Sequence, residues 1–302
     1  MGSIAKKIES TVLQDKIIDW CEAGSGDFSE NDVDRFFDLH DPDEKQLRFD
    51  TLEGLVKIGE LQRVGSRRGW YRRVDRSLNV IDWKSAETTE FELYMPFSLH
   101  TQARIFPKSI IAISGEKNTG KTAFCLNIVK MNQNKSTLPI FYFSSEMLAP
   151  EFKVRLQGFN DVPISDWNFT PIHRTENFAD IVQPDAINII DFLEIYDKFW
   201  MIGKYITDIF NRLNKGVAVI CVQKSGSAEH GRGGTFLIEK PRLTINLTRN
   251  YDEQADLDGA TLHVTNCKFP RPGAENPNGK RIDYHCYGGS YLKPISGWYR
   301  QS

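Results

Sequence analysis

The sequence predicts an α/β protein. It expects a mostly parallel sheet flanked by helices, antiparallel β-hairpins towards the C-terminus, and a small helical module in front. Three observations predict it. Residues 115–122 read G-x-x-x-x-G-K-[ST], a phosphate-binding loop set between an apolar strand and a helix. The runs 139–143, 186–190 and 217–222 are short and almost wholly apolar, which suits parallel strands buried on both faces. Residues 242–248, 261–267 and 281–287 alternate apolar and polar side chains between turns, the pattern of antiparallel strands.

The N-terminal elements follow in order. Ile8, Val12, Ile17, Ile18 and Cys21 predict a first helix with one apolar face. Ser29 followed by Glu30, Asn31 and Asp32 reads as an N-cap and an acidic first turn. It opens a second helix through Val33, Phe36 and Phe37. Pro42 suits the first turn of a third helix, which carries Leu47, Leu52, Leu55 and Ile58 until Gly59 stops it. Residues 61–64 and 70–74 predict two strands around the tip 65–69. Three helices and a hairpin resemble a winged helix-turn-helix, with 65–69 as the wing tip. Residues 1–60 carry 15 Asp and Glu against 7 Lys and Arg, and 63–76 then hold six arginines. The expected division is a winged-helix-like module over 1–76, a connector over 77–97 and a larger domain over 98–302.

The whole chain has 302 residues and a formal net charge of −2, so any nucleic-acid site must be local rather than a uniformly basic surface. Five cysteines without a C-x-x-C pair exclude a disulfide or zinc framework and fit a reducing, cytoplasmic compartment. No apolar run reaches the roughly 18 residues of a membrane span. Cys125 and Cys221 lie in apolar surroundings and read as small core residues. His173, His230 and His263 show no metal-ligand spacing.

The chemistry begins at the loop. Gly115, Glu116, Lys117, Asn118, Thr119, Gly120, Lys121, Thr122 and Ala123 form its nucleotide-binding stretch. Glycine lets successive backbone N–H groups point inward at one anion, and the following helix adds its N-terminal partial charge. Lys121 reaches the β- and γ-phosphates of ATP, and the Thr122 hydroxyl suits Mg²⁺. Three later strands end in polar groups. Residues 141–143 lead to Glu146, a candidate base for the attacking water. Residues 187–190 lead to Asp191, a candidate Mg²⁺ carboxylate. Residues 219–222 lead to Gln223, a candidate γ-phosphate sensor.

These four segments, in this order, resemble the ATPase domain of the DnaB-type helicase branch of the RecA superfamily, over residues 98–302. The match rests on 115–122, on Ser144-Ser145-Glu146-Met147 with Arg155 downstream, on Ile189-Ile190-Asp191-Phe192-Leu193, and on Val222-Gln223 before a glycine-rich loop. The resemblance implies a RecA-like core, water activation by Glu146 and phosphate sensing by Gln223. It also implies a lysine and an arginine acting in trans on a neighbour's nucleotide. The family spaces them K-x-R; here Lys268-Phe269-Pro270-Arg271 is one residue longer, and the roles carry to Lys268 and Arg271. The winged module stands where the family has its N-terminal helical domain.

DNA has two candidate sites. One is the loop 224–235 after Gln223, through Lys224 and Arg232. The other is the hairpin, through Arg67, Arg68, Arg72 and Arg73. The third helix is a poor major-groove reader, because Asp43, Glu44, Asp50 and Glu53 offset Lys45 and Arg48. The sequence therefore leads to an Mg²⁺-dependent ATPase that forms a homo-oligomer, a hexameric ring or a filament, through its nucleotide sites. It acts on single- or double-stranded DNA. Two alternatives stay open. One is an ATP-gated DNA-binding loader, regulator or recombination mediator without unwinding. The other is an ATPase that scaffolds protein.

Overall fold

The computed structural model describes residues 10–23, 26–65, 67–76, 78, 80–193, 202–223, 239–252 and 257–301. Lys224, Arg232, Ile8, Ser66 and His230 lie outside the described residues. The chain divides into two compact units, Met1–Ala86 and Glu87–Ser302.

The first unit runs α1 (Ser10–Ala23), β1 (Asp27–Ser29), α2 (Glu30–Phe37), α3 (Pro42–Lys57), β2 (Leu61–Arg63) and β3 (Trp70–Arg73). The strands form an antiparallel sheet in the order β1-β3-β2. Ser29 caps α2 with a reciprocal bond to Asp32, and Pro42 begins α3 behind Asp41. Such boxes satisfy N–H groups that the first turn leaves without helical partners. Leu13, Ile17, Val33, Leu52, Leu55 and Tyr71 form the core. Two sequence expectations need correction. Val12 is 44% exposed, because α1 turns Leu13 inward in its place, beside the expected Ile17. Phe36 is 61% exposed, although its ring lies 5.4 Å from Trp20.

Arg48 also differs from a helix-surface reading. It is buried, bonded to Glu30 and paired with Asp34 across 3.1 Å. Glu30 also accepts from the Tyr71 hydroxyl at 3.4 Å. Burial, with Glu30 and Glu53 beside it, pushes the Tyr71 pKa up to about 12. Arg48 thus ties α3 to α2 and is spent inside the unit, which leaves the outer face of α3 still more acidic.

The second unit holds β4 (Ser109–Gly115), α4 (Lys121–Asn132), β5 (Ile140–Ser144), α5 (Ala149–Gln157), β6 (Thr170–His173), β7 (Ile187–Leu193), α6 (Ile202–Arg212) and β8 (Val217–Gln223). After these come β9 (Leu243–Asp252), β10 (Leu257–Cys267), β11 (Lys280–Tyr287), β12 (Tyr291–Pro294) and β13 (Tyr299–Arg300). Among the described residues they make one sheet ordered β12-β11-β10-β9-β4-β8-β7-β5-β6, with β13 on β11. Pairing is parallel from β9 to β6 and antiparallel from β9 through β12. This is the mixed α/β fold the sequence predicts.

Period-two alternation explains why helices cover both faces. Ile111 and Ile113 of β4 join Phe124 and Ile128 of α4 in one apolar cluster. Ile110 points the other way, to Ile206 and Ile209 of α6. Leu93 and Met95, ahead of β4, are buried in the α4-side cluster. Among the described residues, no helix is long and apolar enough to cross a membrane.

Candidate nucleotide site

Parallel pairing brings the polar strand ends together. Gly115 of β4 pairs with Gln223 of β8, and Ser144 of β5 pairs with Asp191 of β7. The loop before α4 therefore faces Asp191, Gln223 and the turn after β5, at the carboxyl ends of the strands. Open parallel sheets bind ligands at that edge.

Within the loop, Asn118 and Gly120 take left-handed backbone angles, with φ of 61° and 85°. Gly115 has no room for a side chain: a Cβ there would come within 2.8 Å of Thr119 Oγ1 and 3.1 Å of the Leu247 carbonyl oxygen. The Lys121 ammonium bends back into the loop, donating to the carbonyls of Gly115 at 3.1 Å and Glu116 at 2.6 Å. Burial lowers its pKa, and the charges of Asp191 and Glu146 work against that shift. The ammonium thus feels the charge of both carboxylates singled out in the sequence.

Glu146 is exposed on the turn beyond β5. That turn is fixed at both sides. Met147 N–H donates to Ser144 Oγ at 2.8 Å, and Ser145 N–H donates to the Asp191 carbonyl at 3.1 Å. Asp191 is 4% exposed. Burial raises its carboxyl pKa, against hydrogen bonds from Tyr142 and Thr122 and the charges of Lys121 and Arg155.

A carboxylate beside a threonine hydroxyl and a phosphate loop fits Mg²⁺, a hard cation that takes a few protein oxygens and fills its shell with phosphate and water. Asp191 and Thr122 would hold it. Among the described residues no group of three or more His, Cys, Asp or Glu could cage a metal alone.

Several supporting residues belong to no sequence motif. The Tyr284 hydroxyl of β11 donates to the Thr119 carbonyl at 2.7 Å, and its ring lies under Gly120. Arg155 of α5 donates to the Gly289 carbonyl at 2.9 Å, and Ser290 Oγ donates back to the Arg155 carbonyl at 2.5 Å. Cys125 and Cys221 approach to 3.3 Å between sulfurs beneath the loop, buried as the sequence implies. A tyrosine on the buried face of a strand is itself a signal, because its hydroxyl must find a partner.

Lys268 and Arg271 sit apart from this loop. Lys268 follows β10 and bonds the Glu239 carbonyl; burial and the nearby Arg242 lower its pKa. Arg271 is 39% exposed on its side chain and pairs with Glu90 at 2.7 Å, and Glu90 also binds Arg104 at 2.7 Å. Its backbone N–H donates to the Gln102 carbonyl at 2.8 Å, while Lys280 at the start of β11 reaches Gln102 Oε1 at 3.3 Å. In the first unit, Arg67, Arg68 and Arg72 are exposed and Arg73 is half-buried. Arg67 lies over the Trp70 ring at 5.3 Å, and Arg72 donates to Gln62 at 2.5 Å.

No family model matches the chain. A probable replicative DNA helicase from Trieres chinensis is 43% identical over 61 residues, 20% of this chain and 13% of that protein. A KaiC-like protein from the hyperthermophilic archaeon Pyrococcus horikoshii superposes with a TM-score of 0.51 at 12% identity, over 69% of this chain and 99% of that one. The RadB recombinase gives a TM-score of 0.46 at 10% identity, over 66% of this chain and 94% of that one. With its sheet order and its loop between β4 and α4, the chain has a RecA-like P-loop fold, and its strand-end motifs resemble those of DnaB-type helicases.

Proposed function

We propose that Glu87–Ser302 is an Mg²⁺-dependent ATP hydrolase that assembles through its nucleotide sites and acts on DNA. The observation that carries the reading is the meeting of Lys121, Thr122, Asp191, Glu146 and Gln223 at one edge of the sheet. Mg²⁺, when bound with the nucleotide, neutralises phosphate charge and orients the γ-phosphate. Lys121 exchanges its two loop carbonyls for phosphate oxygens, a stronger charge-assisted pairing. Glu146, exposed on its turn, takes the proton of the attacking water. Gln223 joins the γ-phosphate to the segment that follows it, where Lys224 and Arg232 would meet the DNA backbone. Lys268 and Arg271 act on the nucleotide of a second copy.

The test is ATP turnover with and without single-stranded DNA. The expected result is Mg²⁺-dependent hydrolysis that DNA accelerates, and Lys121→Ala should lose tight nucleotide binding and turnover together. Wild-type turnover in that variant would remove the phosphate loop from the mechanism. Acceleration with directional unwinding marks a motor; no DNA effect at all favours a scaffold for protein.

The first unit favours a second reading, an ATP-gated clamp on duplex DNA. Its element order and its exposed Arg67 and Arg68 support a winged helix-turn-helix whose wing meets phosphates. Arg67→Ala with Arg68→Ala is expected to weaken DNA binding and flatten its salt dependence. Each phosphate left without its arginine lowers the log–log slope by about 0.9 on duplex DNA. ATP turnover without DNA should stay the same. An unchanged slope turns this unit towards a protein partner.

A further inference from the structure

Tyr142 lies in β5, two residues before Ser144, and is fully buried. Its ring packs edge-on against Phe152 at 5.3 Å and Phe169 at 6.1 Å. Its hydroxyl donates to Asp191 Oδ2 at 2.6 Å. That length is typical of a bond between a hydroxyl and an ionised carboxylate. The register explains the meeting. Ser144 pairs with Asp191, and Tyr142 stands one repeat back on the same face, so a side chain of tyrosine length spans the gap.

We propose that Tyr142 is a positioning residue for the divalent cation, holding the Asp191 carboxylate in the one orientation that the magnesium–nucleotide complex requires. The proposal rests on the ATPase reading of this unit.

A lone carboxylate at a strand end turns about two side-chain torsions. A donor that is itself locked by packing removes that freedom from one oxygen and leaves the other for the site. Thr122, whose hydroxyl also bears on the Asp191 carboxyl, belongs to the phosphate loop and is itself a proposed metal ligand. Tyr142 belongs to the sheet, fully buried between Phe152 and Phe169, so it is the fixed point of the pair. Outer partners of metal-binding carboxylates commonly matter by 10–100-fold in metal affinity.

The test is fluorescent mant-ADP binding to the full chain, titrated with Mg²⁺ and repeated in EDTA. Tyr142→Phe keeps the ring and removes only the hydroxyl. Its Mg²⁺ half-saturation is expected to rise at least ~10-fold, while affinity in EDTA stays within two-fold of wild type. Phe152→Leu disturbs the packing around the ring and keeps the hydroxyl. It should lower the melting temperature and leave the Mg²⁺ requirement where it was. A Tyr142→Phe protein with the wild-type Mg²⁺ requirement overturns the proposal. So does a Phe152→Leu protein that shifts the requirement as far as Tyr142→Phe, because packing alone would then be the cause. If the unaltered chain binds mant-ADP equally well with and without Mg²⁺, the metal-dependent ATPase reading itself falls, and the role of Tyr142 falls with it.

Discussion

Arg271→Ala is expected to bind ATP and turn it over ~10³-fold more slowly, the loss typical of an arginine supplied in trans to a γ-phosphate. The reason is its position. Arg271 lies after β10, away from its own phosphate loop, and its guanidinium is held by Glu90 and by the His100 carbonyl at 3.3 Å. On the proposed reading, an arginine so placed would serve a neighbouring copy in a head-to-tail assembly, which closes into a ring or runs on as a filament. Mixing supplies the decisive measurement. Arg271→Ala keeps a working phosphate loop, and Lys121→Ala keeps its arginine. Co-assembled, the two inactive proteins should recover part of the wild-type turnover at hybrid interfaces. A co-assembled mixture no faster than the two parts added together would mean that the arginine works within its own chain, through its pair with Glu90. The same experiment on Lys268 then decides whether any cation is shared.

Glu146→Gln should bind ATP with near wild-type affinity and hydrolyse it at least ~10²-fold more slowly. The amide keeps the shape of the side chain and cannot accept the proton. The turn that carries it depends on Ser144, Ser145 and the Asp191 carbonyl, none of which changes. Rapid-quench measurement of a single turnover separates slow chemistry from slow product release. A single-turnover rate equal to wild type would move the base elsewhere, and Asp191 would be the first residue to test.

The parts legible in the sequence were those whose signal is local. A continuous apolar strand leading to a polar group marks itself, so β4, β5, β7 and β8 could be read directly, although β7 runs on through Asp191 to Leu193 and β5 stops at Ser144, two residues before Glu146. Ser29 and Pro42 marked helix starts for the same reason, since a cap acts within one turn. The strand β1 escaped because three residues carry no period; it exists by pairing with β3. Val12 and Leu13 are adjacent and equally apolar, and only the packed neighbours decide which faces inward. Glu90 meets Arg271 across 181 positions, and Arg48 finds Glu30 across 18. Charge patterning reveals no such pairs. The bond from Tyr142 to Asp191 depends on the register of β5 against β7, which strand composition leaves open.

The hydroxyl of Tyr284 has a mechanical consequence. Tyr284 grips the Thr119 carbonyl inside the phosphate loop, and four residues earlier the same strand begins at Lys280, whose side chain reaches the residue that holds the Arg271 backbone. A strand rises about 3.3 Å per residue and resists bending along its length, so the two ends lie ~13 Å apart on a stiff rod. In the proposed assembly, a loop reshaped by its phosphates would push on one end, and the other end holds the segment of Arg271 that the next copy would receive. On the proposed reading, loading one subunit and presenting its arginine would be two displacements of a single lever, and an assembly built from such levers would fire its sites in order rather than independently.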